Sequence, residues 1–239
     1  GEFDKIFNDI FLKRAKNYKD IVASLVGGSK NFSEICKALR VDPNGVITEY
    51  LEDLESSGFI KRDYVYNPQN GRRGKLSKYR LRDNYLRFYL KYIEPLKEKI
   101  QDKIYDAVRV EDFSAFETIM GFQLENLVLN NLDILLLSLN INTTQLLSAS
   151  SYFQSTTARQ KACQIDLLID TKNAIYPCEI KFRKQIDTSV ISEMRGKITK
   201  LKYPKNKSVR PVLIFVGNLS ESVKDSGYFN NIISFDMFL

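Results

Sequence analysis

Gln164-Ile165-Asp166-Leu167-Leu168-Ile169-Asp170-Thr171-Lys172-Asn173-Ala174-Ile175-Tyr176-Pro177-Cys178-Glu179-Ile180-Lys181 decides how the second half of this 239-residue chain is read. Two short apolar runs flank a polar turn, the pattern of two adjacent strands. Each run carries an acid where a buried strand would favour Val, Ile or Leu. With the turn centred on Lys172-Asn173, positions whose numbers sum to 345 face each other across the hairpin, so Asp166 lies opposite Glu179. Lys181, two residues on, points to the same face as Glu179, because side chains alternate with period two. Two carboxylates and an amine converge on one patch. Asp170 falls on the same face close to the turn, where a solvated acid needs no special explanation.

Outward from this hairpin the chain reads as one α/β unit. Upstream, Phe113 to Leu137 is a long apolar helix carrying Phe116, Ile119, Met120, Leu124, Leu127 and Val128, with Glu125 inside it. Strand-like pieces follow near Gln145–Ser148 and Tyr152–Phe153. Downstream, Asp187 to Lys202 is amphipathic at helical spacing, with Val190, Ile191, Met194, Ile198 and Leu201 on one side. Val209–Val216 is an apolar strand and Ile232–Phe235 a short last one. Helix, three strands, helix, strand predicts an α/β sandwich around a mixed sheet.

The first hundred residues follow another pattern. Helical spacing covers Asp4–Leu25 (Ile6, Phe7, Ile10, Phe11, Ile21, Val22, Leu25), Phe32–Leu39 and Gly45–Ser57, with stops at Gly27-Gly28, Pro43 and Gly58. Two strand-like segments, Phe59–Tyr66 and Lys78–Leu81, then flank a polar loop. Three helices and a β-hairpin predict a winged helix-turn-helix. Its third helix carries Glu49, Glu52, Asp53 and Glu55 and no Lys or Arg, so phosphate would repel it. The wing differs: Arg72, Arg73, Lys75, Lys78, Arg80, Arg82, Arg87 and Lys91 surround the single acid Asp83. Contact through the wing fits nucleic acid; a protein-packing role for the module fits equally. An aromatic helical stretch from Asp83 to Lys103 (Tyr85, Phe88, Tyr89, Tyr92) offers rings on which bases could stack, but its spacing of three and four favours a packing stripe. We place the domain junction at 104/105, giving a winged-helix domain over 1–104 and an α/β domain over 105–239.

Composition narrows the chemistry. Hydrophobic content of 44% and charged content of 27% fit a soluble globular protein. No residue run is long and apolar enough to span a bilayer, so the expectation is a cytoplasmic protein without a membrane partner. Histidine is absent, which excludes Ser-His-Asp and Cys-His hydrolases and histidine metal ligands. Cys36, Cys163 and Cys178 form no CxxC pair and read as reduced thiols. The net charge of +7 is concentrated before Tyr105, where 21 basic residues meet 15 acidic ones, against 15 and 14 from there on. Within the second half, Lys181–Arg210 holds ten basic residues and two acidic. Charge placed in the wing and beside the acidic hairpin suits a nucleic-acid backbone, although a solvated basic helix would look the same.

Asp166, twelve intervening residues, then Glu179-Ile180-Lys181, with Glu125 on an upstream helix, resembles the PD-(D/E)XK phosphodiesterase superfamily. Ile165-Asp166 stands for the leading Pro-Asp, and the αβββαβ order agrees. A broader likeness runs through the winged helix, Tyr79-Arg80-Leu81-Arg82-Asp83-Asn84-Tyr85-Leu86-Arg87-Phe88-Tyr89, Gly121-Phe122-Gln123-Leu124-Glu125-Asn126, Ile165-Asp166 and Glu179-Ile180-Lys181. That set is similar to the C-terminal half of archaeal-type DEXX-box ATPases, in which a P-loop domain comes first. The chain has no Gly-x-x-x-x-Gly-Lys-[Ser/Thr], so the resemblance implies either the C-terminal part of a longer ATPase, with the ATPase domain supplied in cis or in trans, or a relative that lacks the motor.

The resemblance implies a metal-dependent phosphodiesterase acting on DNA. Asp166 and Glu179 would hold Mg²⁺ or Mn²⁺ through hard oxygen ligands. Lys181 would orient or help deprotonate the attacking water, and Glu125 would complete the metal's surroundings. Arg72, Arg73, Lys75 and Lys78 are the expected DNA contacts, with Lys197 as a further phosphate contact. Two alternatives stand beside this reading. The three hairpin residues form a salt-bridged patch without catalysis, or the chain is a non-catalytic DNA-binding or protein-interaction module coupled to an ATPase domain.

Overall fold

The computed structural model describes residues 15–104, 108–158 and 160–235; Ile6, Phe7, Ile10 and Phe11 of the expected first helix lie outside them. The chain divides into two compact units. The first is Gly1–Asp63 with Ser77–Ile119, the second Tyr64–Leu76 with Met120–Leu239.

In the first unit, α1 (Ala15–Ser24), α2 (Phe32–Leu39) and α3 (Gly45–Ser56) enclose a core of Ile21, Leu25, Ile35, Leu51 and Leu54. Their limits follow from capping chemistry. Asn31 and Glu34 exchange hydrogen bonds at the start of α2, and Asn44 accepts the Ile47 N–H at the start of α3. Gly58, at φ 79°, lets the chain leave α3 through the left-handed region. The strands β1 (Ile60–Asn67) and β2 (Arg72–Leu81) pair as a hairpin. The turn before α4 (Asn84–Phe88) is capped by Asp83, and α4 runs through a wider turn at Tyr89–Ile93 into α5 (Lys97–Gln101). Tyr89 and Tyr92 are buried and Tyr92 stacks on Phe113 at 5.0 Å, as a packing stripe should, while Tyr85 stays exposed.

Two of the basic residues grouped with the wing serve the fold instead. Arg87 is 2% exposed, and its guanidinium donates to the carbonyls of Val26 (2.7 Å), Leu81 (3.1 Å) and Leu25 (3.3 Å). It thereby satisfies acceptors left at the end of α1. Arg80 donates to Asp63 at 2.8 Å. The acidity of α3 is also partly used internally: Asp53 accepts from Tyr18 at 2.5 Å, and Glu55 accepts the Arg62 N–H at 3.0 Å. Glu49 and Glu52 remain exposed.

The second unit is mixed α/β. The long helix expected over 113–137 is two helices, α6 (Phe116–Asn130) and α7 (Leu132–Ser138). The break falls at Asn131, whose side chain donates back to the Leu127 carbonyl at 2.7 Å and competes with the helical ladder. The two expected pieces near 145–153 are one strand, β3 (Leu146–Gln154). After it come β4 (Cys163–Thr171), β5 (Ala174–Ile186), α8 (Ser189–Ile198), β6 (Ser208–Val209), β7 (Val212–Leu219), α9 (Glu221–Asp225) and β8 (Asn231–Ser234). The sheet runs β3-β4-β5-β7-β8, with β6 beside β5. β3, β4 and β5 are antiparallel neighbours, whereas β7 runs parallel to β5 and β8.

Alternation along the central strands splits the core between two faces. Leu167, Ile169, Cys178, Ile180, Val212 and Ile214 pack with Leu124 and Val128 of α6 and with Leu135 and Leu136 of α7. Leu213 and Phe215 instead meet Val190, Ile191 and Met194 of α8. Helices therefore cover both faces, and each face is apolar at period two. Among the described residues no helix is long and apolar enough to cross a membrane.

Candidate functional site

Strand register positions the hairpin acids. Leu167 pairs with Cys178, Leu168 with Pro177, Ile169 with Tyr176 and Asp170 with Ile175, every pair obeying the sum expected from the sequence. The ladder stops one step short of Asp166 and Glu179. There the carboxylate of Asp166 accepts the Ile180 N–H at 2.9 Å, in place of a strand partner. On its other side β4 is irregular. Ser150 pairs with Leu168 but Tyr152 with Ile165, so β4 carries one residue more than β3 across Asp166–Leu167. Such a bulge re-aims side chains, and here it lies at one of the two acids.

Glu179 and Lys181 project on the side of the sheet covered by α8. Glu179 is 1% exposed, yet both its oxygens are matched: Lys181 Nζ stands 2.9 Å from Oε1 and Lys197 Nζ 2.6 Å from Oε2. Lys197 also lies 3.7 Å from Asp166 Oδ1, and Lys181 donates to Glu193 Oε2 at 2.7 Å. The result is a closed network of three carboxylates and two ammonium groups. Glu193 is the member that sequence reasoning passed over. Its signal was present, because Glu193 and Lys197 lie four apart on one amphipathic helix and must share a face.

Electrostatics follow from burial and from this crowding. Burial, reinforced by the charge of Glu179, pushes the Asp166 carboxyl up to about 6 in spite of Lys197. Burial would lower Lys181, but Glu179 and Glu193 outweigh it and hold the ammonium above its ordinary range. Lys197 is raised in the same way, its burial overcome by Asp166 and Glu179. Glu193 sits below its ordinary value, its desolvation outweighed by Lys181. Cys178, fully buried beside Glu179, has its thiol driven up by burial first and then by Asp166 and Glu179, so it packs as an inert small residue.

Glu125 is half-buried on α6, whose Leu124 and Val128 belong to the apolar cluster that holds Cys178 and Ile180. Among the described residues no three Asp, Glu, Cys or His side chains form a group able to hold a metal ion. At the hairpin, Asp166 and Glu179 are the carboxylates that would hold an ion, with the Ile180 carbonyl next to Glu179 in the chain. Hard oxygen donors of this number and charge fit Mg²⁺ or Mn²⁺, which keep several waters and take one or two carboxylates.

Asp170 corrects an expectation. It is not a solvated acid at the turn but wholly buried, and Lys207, itself 7% exposed, is 2.6 Å from its Oδ1. The same carboxylate faces Tyr66, whose phenol is pushed up to about 12 by burial and then by the charge of Asp170. Next to Tyr66, Val65 joins Ile165, Leu168, Ile175 and Leu201 in an apolar cluster. Residues 64–76, the distal half of the β1–β2 hairpin, are thus seated on the sheet that bears Asp166. They carry the exposed Arg72, Arg73 and Lys75, with Arg73 stacked over Tyr64 at 3.3 Å from the ring centroid. Lys78, half-buried, falls in the first unit.

No family profile matches the chain, and no curated protein matches it. Among solved structures it is similar to protein VC1899 from Vibrio cholerae, at 11% identity and a TM-score of 0.38 over 98% of this chain and 52% of that one. The chain spans about half the length of that protein.

Proposed function

We propose that this protein is a DNA-associated, metal-dependent phosphodiesterase of the PD-(D/E)XK type, in which the wing of a winged helix-turn-helix helps to hold DNA. The observation that carries the reading is the meeting of Asp166, Glu179 and Lys181 on one face of the sheet, tied by the Ile180 N–H and the Lys181–Glu179 contact. In this reading Asp166, Glu179 and the Ile180 carbonyl hold Mg²⁺ or Mn²⁺. When bound, such an ion supplies Lewis acidity toward the phosphate and the attacking water. Lys181 is an ammonium in the resting protein, so its first role is to donate: it orients the water and offsets charge building on the phosphate. Glu193 fixes the direction of that donor. Arg72, Arg73 and Lys75 hold the backbone of DNA without reading its sequence; Lys78 is a further phosphate contact, and the exposed Glu49 and Glu52 disfavour base reading by α3.

A second reading rests on a specific observation: both oxygens of Glu179 are already neutralised by lysines. A network closed in this way also suits a scaffold without catalysis, coupled to an ATPase in cis or in trans. Incubation of linear, circular and single-stranded DNA with Mg²⁺ or Mn²⁺ separates the two. The enzyme reading expects cleavage by the wild type and none by Lys181→Ala. Intact DNA in every lane, with DNA still bound, assigns the chain to the second reading.

A further inference from the structure

The two lysines of the network are not held alike. Lys181, on the rigid strand β5, is anchored by Glu179 at 2.9 Å and by Glu193 at 2.7 Å. Lys197 is in the last turn of α8, 23% exposed at its side chain, and its ammonium sits between Glu179 Oε2 (2.6 Å) and Asp166 Oδ1 (3.7 Å). Those are the two carboxylates assigned above to a divalent ion. A second cation cannot share that position, because like charges a few ångströms apart in a poorly solvated site repel strongly. A long flexible stem at a helix end allows Lys197 to turn outward to water at little cost, whereas Lys181 is fixed on both sides.

We propose that Lys197 is a built-in counter-cation. It neutralises Asp166 and Glu179 in the metal-free protein, competes with the divalent ion for them, and is released toward solvent when the ion enters. Released, its ammonium is a free donor for a phosphate oxygen, so ion entry and phosphate binding become coupled through one side chain. This rests on the metal reading of Asp166 and Glu179 and adds to it a residue that sets the affinity for the ion. The buried charge explains why the position holds a lysine: without it, the desolvated Asp166 and Glu179 would share the single ammonium of Lys181, at a cost in stability. Lys197 stabilises the empty site at the expense of ion affinity.

Calorimetric titration with Mn²⁺ of the wild type, Lys197→Gln and the double variant Lys197→Gln/Asp166→Asn tests this. Lys197→Gln is expected to bind Mn²⁺ at least about tenfold more tightly than the wild type, and the double variant to lose that binding. Equal or weaker binding by Lys197→Gln, with the wild type still binding, overturns the competitor role and leaves the metal reading standing. Binding by neither protein overturns both. Because Lys197→Gln leaves Glu179 half-neutralised and can unfold, a second measurement uses the wild type alone. Labelling by an amine-reactive ester, read by mass spectrometry, is expected to rise severalfold at Lys197 with saturating Mn²⁺ while Lys202 is unchanged. A Lys197 rate indifferent to bound Mn²⁺ contradicts its release.

Discussion

At the residue scale, Asp166 shows how a site of this kind trades stability for charge. Its carboxyl titrates near 6 against an ordinary value of 3.8 because burial disfavours the anion. The folded state therefore binds the proton more tightly than the unfolded chain, and the stability gained from protonation is present below 3.8 and lost as pH rises through about 6. Asp166→Asn removes an anion while leaving an oxygen for the Ile180 N–H. In the presence of a chelator at pH 7 the variant is expected to be more stable than the wild type by about 1–3 kcal/mol, visible as a higher melting temperature. The difference should shrink as pH falls through about 6 and vanish well below 3.8, where Asp166 is neutral in both states; an equally large gap there and at pH 7 would mean that charge is not its cause. Such a gain accompanies residues kept for chemistry rather than for packing. The acids themselves were legible in the sequence, since Asp166 and Glu179 interrupt apolar strands. Their counter-ions were less so. Glu193 and Lys197 become partners only when α8 is laid on β4 and β5, a packing decision that helical spacing restricts but does not fix.

At the element scale, the strand carrying Glu179 and Lys181 is shaped by a second irregularity. Phe182 pairs with Val216 but Gln185 with Asn218, so β5 holds an extra residue at Arg183–Lys184 opposite Gly217. Gly217 has φ 117°, and a Cβ there would meet the Arg183 carbonyl oxygen at 1.8 Å. Both conditions demand glycine. Gly217→Ala is expected to destabilise the protein by at least about 2 kcal/mol, measured by denaturant unfolding, and to lower metal affinity by shifting Lys181. A variant as stable as the wild type would mean that the bulge relaxes freely. This device was hidden in the sequence, where Gly217 reads only as the end of an apolar strand. The hairpin register was visible because a turn at Lys172-Asn173 fixes every pair along it. The break at Asn131 was not, because the apolar spacing continues through it and only the side chain's bond to Leu127 ends the helix. The tip of the β1–β2 hairpin belongs to this scale as well. Replacing Arg72, Arg73 and Lys75 by alanine is expected to weaken DNA binding uniformly across sequences and to reduce the slope of log K against log salt by up to about 3. An unchanged slope in fluorescence anisotropy would give the hairpin another task.

At the scale of the whole molecule, composition and order of elements carried the broad outline: helices and a hairpin first, then a mixed sheet covered on both faces. They could not indicate that residues 64–76 group with the second unit. That follows from Val65 entering an apolar cluster with Ile165 and Leu168, and from Tyr66 facing the buried Asp170–Lys207 pair. Non-local contacts of this sort leave no periodic trace, and Asp170 beside a turn resembles any solvated acid. The consequence for function is that three exposed basic side chains and the Asp166–Glu179 pair belong to one unit, as a nuclease-like reading requires. The most direct test of that reading is single-turnover cleavage of labelled duplex DNA with Mn²⁺ by the wild type, Asp166→Asn and Glu179→Gln. We expect cleavage by the wild type and a loss of at least about a hundredfold in each variant. Cleavage that persists undiminished in both variants, or its absence from the wild type while Mn²⁺ is bound, would contradict the assignment of these two carboxylates to phosphodiester chemistry.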